Sequence, residues 1–175
     1  MRDRLSPEGR INYDIWALEL DRAEQQYRFR AYQPPFYSFL YSIHASLPNF
    51  LISTHQVHDL AELRGYVARL GAMPGVLDTA IAQSRDSARQ GVIPPRFQLE
   101  RVIAGSQRLI TGAPFDTGAD SPLWADIQAK IAKAQAAGTI SEGDGKTYAA
   151  QARTCLLYTS PSPRDRTRSR MPSSA

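Results

Sequence analysis

The stretch DLAELRGYVARLG, residues 59–71, decides the fold class of this chain. Its leucine and valine side chains recur at helical spacing, which places them along one side of a helix and leaves the charged residues on the other. The positions of this apolar stripe are Leu60, Leu63, Val67 and Leu70. The segments on both sides repeat the pattern between proline and glycine residues. We therefore predict an all-α protein built of antiparallel helical hairpins.

Proline and glycine residues divide the chain after this stretch. The helix is predicted to end near Gly71 and another to begin at Pro74, which makes residues 71–75 a helix–helix turn. Gly91 suits a left-handed helix end, and Pro94-Pro95 favours an extended approach to the next helix. Three further helix starts are predicted, at Pro95, at Pro122 and at the capping-box pattern Thr139-Ile-Ser-Glu142.

Upstream, Ser6-Pro7 starts a long amphipathic helix that is predicted to reach about Ala31. The serine hydroxyl accepts a hydrogen bond from a free backbone N–H group, and proline loses nothing at the first helical position. The apolar side of this helix carries Ile11, Ile15, Leu18 and their neighbours Trp16, Leu20 and Tyr27. Next, residues 36–52 are aromatic without a clear period, which favours a short helix or an irregular segment against the core. Its first part, Phe36–Tyr41, is interpreted as core, with a ligand wall as the alternative.

Residues 155–175 differ from the rest of the chain. Cys155 to Ser160 reads back as TGT CTC TTA TAC ACA TCT, a sequencing-library mosaic end, and the adapter continues in frame to the last residue. We therefore predict a non-native, disordered tail at 155–175 and a truncated helical domain at 5–154. The alternative is a genuine disordered arm, rich in Pro, Ser and Arg, that contacts phosphate.

The tail also carries most of the net charge. It holds four arginines and one aspartate, so residues 1–154 retain only +1 of the net +4 of the whole chain. The charge of residues 1–154 therefore does not indicate a basic surface for an anionic partner, and we predict no nucleic-acid partner. Without Cys155 the chain has no thiol for a disulfide or a metal. No apolar run reaches the roughly 18 residues of a transmembrane segment, and no signal peptide is visible at Met1–Leu5.

The three histidines, His44, His55 and His58, give no convincing metal site. The spacing His55-x-x-His58 can place two imidazoles on one helical face for zinc, but no HExxH pattern accompanies it. We favour the interpretation that His58-Asp59 caps the next helix. No glycine-rich phosphate loop and no Gly-x-Ser-x-Gly elbow occur either. The sequence therefore predicts no catalytic residue and no metal ligand in this chain.

The order of several motifs resembles the N-terminal third of the bacterial domain of unknown function 885 family, over nearly all of residues 5–154. The most specific of these motifs is Gly91-Val-Ile-Pro-Pro-Arg96. The others are Leu5–Asp14, Ser46–Ile52, Tyr66–Leu70 with Pro74 and Leu77, and Ser121–Trp124.

The resemblance implies a large, mostly helical parent that is similar to zinc metallopeptidases and is exported, either periplasmic or lipid-anchored. The presumed zinc site of such proteins is a His-Glu…Gly-His element that this chain lacks, so residues 5–154 would be a non-catalytic helical wall. Its partners would be the missing C-terminal part and, for the parent, a peptide substrate. Arg96 is the one candidate for substrate contact, against the commoner role of a surface ion pair. The alternative function is a complete helical binding module that docks a partner through Phe36–Tyr41.

Overall fold

The computed structural model of the protein describes residues 2–38 and 40–158. Its six α-helices are α1 (Pro7–Tyr27), α2 (Ile43–Asn49), α3 (Leu60–Arg89), α4 (Arg96–Leu109), α5 (Pro122–Ala136) and α6 (Glu142–Tyr158). Short 3-10 turns occupy Arg2–Arg4 and Arg30–Tyr32, and a π-helical turn, Phe50–Thr54, follows α2. Over this part of the chain there is no strand, and the β-type pairing is a single bridge between Ala113 and Asp120. The all-α prediction is confirmed.

The hydrophobic core lies where the first half of α3 meets α5 and α6. A short turn joins α5 to α6, and α3 packs along α6. The least exposed apolar side chains of this core are Leu51, Leu63, Tyr66, Leu70, Ile127, Ala152 and Leu156. Leu51 belongs to the π-helical turn, so this turn closes one end of the core. Each fully buried aliphatic side chain contributes roughly 1.5–3 kcal/mol, which makes this three-helix body the stable part of the molecule.

The predicted helix ends agree with the structure where local chemistry decides them. Ser6 caps α1 by accepting a hydrogen bond from the backbone N–H of Gly9 at 3.1 Å. Asp59 caps α3 in the same way through Glu62, at 2.8 Å. Gly91 has a φ of +81°, the left-handed conformation that glycine tolerates best.

The start of α6 differs from the prediction. Ser141, and not Thr139, accepts from the backbone N–H of Asp144 at 3.0 Å and donates to its carboxylate at 2.6 Å. Thr139 instead donates to the carbonyl of Ala134, the end of the preceding helix. The reciprocal cap therefore lies two residues later than the pattern Thr139–Glu142 suggested, because the threonine hydroxyl is used by α5.

Helix α3 is one continuous element of 30 residues, so the predicted turn at residues 71–75 is wrong. Pro74 lies inside the helix, where it removes one backbone hydrogen bond at a penalty of about 3 kcal/mol. The buried positions keep one helical phase on both sides of it: Leu63, Tyr66, Val67, Leu70, Met73, Ala80 and Ser87. Burial of a single stripe across residue 74 outweighs the local preference of proline to end a helix.

The connection between α4 and α5 is tightly hydrogen-bonded. The backbone N–H of Ala113 donates to the carbonyl of Ala119 at 3.0 Å, and that of Gly112 donates to the Asp116 carboxylate, also at 3.0 Å. Gly112 has a φ of +91° and lies directly against the Ala119 carbonyl, where a Cβ atom would overlap it. This position therefore requires glycine for both its conformation and its space.

Helix α6 includes residues 155–158, the first four residues of the predicted disordered tail. Leu156 is only 2% exposed and belongs to the core cluster. The helical period of α6 brings this leucine onto the buried face, which explains why the ordered body does not stop at Thr154. The rest of the predicted tail, residues 159–175, lies outside the described residues.

Helix α1 lies outside the core and buries none of its residues. It ends at Tyr27, earlier than the predicted Ala31, and a 3-10 turn follows. We call its exposed apolar residues the α1 stripe: Ile11, Ile15, Trp16, Leu18, Leu20 and Tyr27. These residues lie on two opposite sides of the helix, Ile11, Ile15 and Leu18 on one and Trp16, Leu20 and Tyr27 on the other, so the predicted single apolar side is wrong. No described element covers either side. Throughout the described ranges, every helix is too short or too polar to cross a bilayer.

Candidate functional site

The histidine pair 55 and 58 does not form a metal site. Both ring nitrogens of His55 are bonded: Arg69 donates to Nδ1 at 2.6 Å, so Nε2 carries the proton and donates to the carbonyl of Glu62 at 3.0 Å. His58 instead lies on the surface, where its backbone N–H and Nδ1 contact the Glu62 carboxylate. With Asp59, this contact completes the predicted cap of α3.

The resemblance implies zinc, and the residues described do not fit it. Within residues 2–38 and 40–158, no three His, Cys, Asp or Glu side chains converge as zinc ligands. A structural or catalytic zinc site needs at least three such ligands. His55 supplies none, because a nitrogen that accepts from arginine has no lone pair left for a metal.

A largely buried polar cluster joins α3, α5 and the π-helical turn. The Tyr66 hydroxyl donates to Asp126 Oδ2 at 2.8 Å, and Lys130 Nζ donates to the same oxygen, also at 2.8 Å. The side chains of Asp126 and Lys130 are only 13% and 12% exposed. Burial, and then the hydrogen bond to Asp126, hold the pKa of Tyr66 well above its ordinary value. Tyr66 therefore remains a neutral hydrogen-bond donor.

Lys130 has no hydrogen-bond donor left for a substrate. Besides Asp126, its ammonium group donates to the carbonyls of Leu51 at 2.6 Å and Ile52 at 3.1 Å. An ammonium group has three N–H donors, and these three acceptors use all of them. The cluster is thus a positioning device: it fixes the π-helical turn, and with it α2, against the core.

Sequence reasoning missed this cluster, although one signal for it exists. Asp126 and Lys130 have the i,i+4 spacing of a helical ion pair. Each directly precedes a buried isoleucine of α5, Ile127 or Ile131. A charged pair that borders the apolar stripe of a helix is more buried than one on the opposite face. The spacing within α5 does not, however, indicate that the backbone carbonyls of Leu51 and Ile52 accept hydrogen bonds from Lys130.

Arg96, the one predicted candidate for substrate contact, lies in the first turn of α4. Its Nε atom donates to Glu100 at 2.7 Å, and its side chain is 92% exposed. An exposed i,i+4 pair contributes little to stability. This geometry matches the surface ion pair that was the alternative interpretation, and substrate contact by Arg96 stays a prediction.

Among the described residues of the aromatic segment Phe36–Tyr41, Phe36 is half-buried and three others are exposed, which corrects the interpretation of the segment as core. Tyr37 and Tyr41 are 46% and 77% exposed, and Leu40 is 61% exposed. The two tyrosines border an open groove of about 520 Å³ against α3. The described part of the segment forms turns, in which the backbone N–H of Tyr37 donates to the carbonyl of Pro34 at 3.0 Å. The rings of Tyr37 and Tyr41 do not belong to the core cluster. Phe39 lies outside the described residues.

A second groove, of about 510 Å³, separates α2 from α4; we call it the α2–α4 groove. Small residues form its floor: Ala45 and Pro48 from α2, and Ala104 and Gly105 from α4. Its polar residues are His44, Asn49, Arg101 and Arg108. No carboxylate is among its lining residues over the part of the chain that the structure describes.

His44 is the buried titratable group of this groove. It is 7% exposed, and no described residue makes a hydrogen bond with its Nδ1 atom. Burial lowers the pKa of His44 below its ordinary value of 6.5. The imidazole is therefore neutral at physiological pH.

We expect stability to fall at mildly acidic pH because of His44. The unfolded chain takes up the proton first as the pH falls, so the contribution of neutral His44 is complete above pH 6.5 and is lost below it. His44→Phe, which keeps the ring packing with Phe36, should lose less stability than the wild type between about pH 7 and pH 5. Urea unfolding at both pH values measures this difference. Equal losses in the two proteins would contradict the assignment.

Comparisons with known proteins give one match. The family model described as "Bacterial protein of unknown function (DUF885)" matches residues 1–162. No curated protein and no solved structure matches the chain. The family match, like α6, extends past residue 154, so neither supports a boundary there. The adapter origin of the tail stays a prediction, and the nucleotide codons of Leu156 to Tyr158 test it.

Proposed function

This chain belongs to the DUF885 family of bacterial proteins, and from that membership we propose that residues 5–154 are a non-catalytic helical scaffold within a larger zinc-dependent peptidase or hydrolase. The zinc ligands and the general base would come from another part of the parent protein. The peptide substrate would be that of the parent, and this region would form a wall beside its cleft.

The α1 stripe is the observation that carries the proposal. Seven large apolar side chains of one helix are exposed, the six of the α1 stripe and Tyr13, and that helix buries no residue. Exposed apolar side chains in such number on one helix are typical of an interaction site. In the proposed parent, the rest of the protein covers the stripe and thereby fixes α1 beside the three-helix body.

The catalytic part of the proposal predicts that this chain neither binds zinc tightly nor cleaves peptides. The full chain is dialysed against zinc, freed of loosely bound metal, and analysed for metal content beside a peptide-cleavage assay. We expect less than stoichiometric zinc and no cleavage, because three converging ligands are required for a tight site. One tightly bound zinc per chain would overturn the proposal.

The scaffold part predicts that the α1 stripe drives self-association of the isolated chain. In the triple variant Ile11→Gln, Ile15→Gln, Leu18→Gln, we expect less aggregation by light scattering and a change in unfolding free energy below about 0.5 kcal/mol, since none of these residues is buried. Trp16 on α1 and Trp124 beside the core are the two tryptophans of the chain. Two variants, Trp16→Phe and Trp124→Phe, therefore separate the fluorescence of α1 from that of the core.

Two results would contradict the scaffold proposal. The first is a chain that stays monomeric at high concentration with its Trp16 emission typical of water-exposed indole. The second is a triple variant that unfolds much more easily than the wild type, which would place the α1 stripe inside the fold. The matched control is Glu19→Gln, a change on the same exposed helix outside the stripe, which should alter neither property.

The alternative function, a binding module that docks a partner through Phe36–Tyr41, is supported by the exposure of Tyr37 and Tyr41. Exposed tyrosines are enriched where proteins bind each other. The two functions differ in the parent gene: a gene without a downstream His-Glu…Gly-His element would favour the binding module. The double variant Tyr37→Ser, Tyr41→Ser would then abolish partner binding and leave the melting temperature unchanged.

A further inference from the structure

The α2–α4 groove has no part in the proposed scaffold role, and a side chain from each of its two helices lies at one place on its floor. That place is Gly105, within α4. A Cβ atom at residue 105 would lie 3.4 Å from Nε2 of His44, which belongs to α2, and 3.9 Å from Nη2 of Arg108, which belongs to α4. Both nitrogens are therefore close to a single point, and one small group above Gly105 can contact both.

His44 presents a hydrogen-bond donor at this point. The residue is 7% exposed, and its Nδ1 atom is buried without a hydrogen-bond partner among the described residues. Buried N–H groups without an acceptor are rarer in proteins than buried acceptors without a donor, so Nδ1 is the unprotonated nitrogen. A neutral imidazole carries one proton, and that proton then lies on Nε2, the nitrogen beside Gly105.

Arg108 supplies a second donor and a positive charge. A guanidinium group carries five N–H donors in a planar fork and stays charged. No carboxylate lines the groove in the described ranges, so none neutralises this charge there. Arg101 also borders the groove, but it already has an interaction of its own and is no part of the site.

Glycine at residue 105 leaves the space between these two donors open. Inside a helix glycine is less favourable than alanine, and here any side chain longer than a methyl group would extend between the imidazole and the guanidinium. The surrounding surface is apolar and consists of Ala45, Pro48, Ile52, Ala104 and Leu109. The groove thus combines two converging donors, one of them charged, with an apolar surround.

We propose that the α2–α4 groove binds a small organic anion, whose single carboxylate or phosphate group lies over Gly105 and accepts hydrogen bonds from His44 Nε2 and from Arg108. A guanidinium group binds both kinds of oxyanion through charge-assisted hydrogen bonds. The apolar part of the ligand lies against the apolar surround of the groove. This inference rests on the groove alone and holds whether or not the scaffold function is correct.

The test uses the full chain with hexanoate, inorganic phosphate and 1-hexanol, all in chloride buffer at matched ionic strength. Binding is measured by titration calorimetry and by the amide shifts of Gly105 and its neighbours in nuclear magnetic resonance spectra. We expect saturable binding of at least one of the two anions, with shifts centred on residue 105. Hexanoate alone indicates a carboxylate ligand, and phosphate alone indicates a phosphorylated one. If neither anion binds saturably, or if the uncharged hexanol binds as tightly as the anions, the proposal is overturned.

Three variants make the test specific. Arg108→Gln should weaken binding of the anion about ten-fold, the expected loss of one charge-assisted contact. His44→Phe keeps the ring beside Phe36 but removes the Nε2 donor, and should weaken binding about five-fold. Arg153→Gln is the matched control, since Arg153 is an exposed arginine on α6 that does not line the groove. If folded Arg108→Gln binds like the wild type, or if Arg153→Gln weakens binding equally, overall charge holds the anion and the proposal fails.

Substitutions at Gly105 provide a second readout. Gly105→Leu should abolish binding because its side chain occupies the space between the two donors, while the helix itself gains a better helix former. Gly105→Ala adds only a contact at 3.4 Å, so its melting temperature should be unchanged or raised. Circular dichroism shows whether each variant is folded. Undiminished binding by a folded Gly105→Leu variant would place the anion elsewhere and refute the assignment.

Discussion

Replacement of Lys130 by alanine is expected to lower the free energy of unfolding by about 3–5 kcal/mol, the range observed when one partner of a buried ion pair is removed. The change leaves the Asp126 carboxylate 13% exposed and without its cation. It also leaves the carbonyls of Leu51 and Ile52 without their donor. Urea unfolding followed by circular dichroism measures the loss.

Lys146→Ala is the control for this experiment. Lys146 pairs with Glu142 in the same i,i+4 spacing, but both side chains are more than three-quarters exposed. Exposed pairs contribute at most about 1 kcal/mol, so this variant should unfold close to the wild type. If the two variants lost equal stability, the Lys130 cluster would not be the positioning device that its burial indicates.

Gly112→Ala is expected to destabilise the protein by more than about 2 kcal/mol. A left-handed backbone conformation alone costs a residue with a side chain roughly 1–2 kcal/mol. At Gly112 the added Cβ would also overlap the carbonyl oxygen of Ala119, a backbone atom that cannot move without breaking its hydrogen bond to Ala113. Thermal and urea unfolding measure the combined effect.

Gly91→Ala separates these two causes. Gly91 has a similar φ of +81°, but a Cβ atom there would meet open space. Its substitution should therefore cost only the conformational part, about 1 kcal/mol. A Gly112→Ala variant no less stable than Gly91→Ala would show that the loop between α4 and α5 relaxes freely around the added atom.

The helix ends could be predicted from sequence because their determinants lie within a few residues. Ser6 and Asp59 each satisfy a backbone N–H three positions later, and Gly91 needs only its own φ. The continuity of α3 could not be predicted locally. It depends on whether the positions after Pro74 keep the phase of the buried positions before it, and this is a property of the packed structure.

The candidate sites were less predictable for the same reason. Lys130 bonds to the backbone of residues 51 and 52, which are 79 and 78 positions away along the chain. No spacing rule connects an amine with carbonyl groups at that distance. The polar surface of the α2–α4 groove likewise combines two helices that a proline-rich stretch and the whole of α3 separate in sequence. By contrast, Arg96 could be selected as a candidate from the sequence because it is the last residue of a distinctive local motif, Gly91–Arg96.

The uncovered helix α1 also has a consequence for synthesis in the cell. Its residues leave the ribosome well before α3, α5 and α6, and about 130 positions separate its end from the end of α6. At 5–20 residues per second, that interval is on the order of ten seconds. During this time a segment with exposed apolar side chains and no docking site is a natural target for ribosome-associated chaperones and for proteases. The cellular yield of this chain therefore depends on how quickly quality-control factors engage residues 7–27.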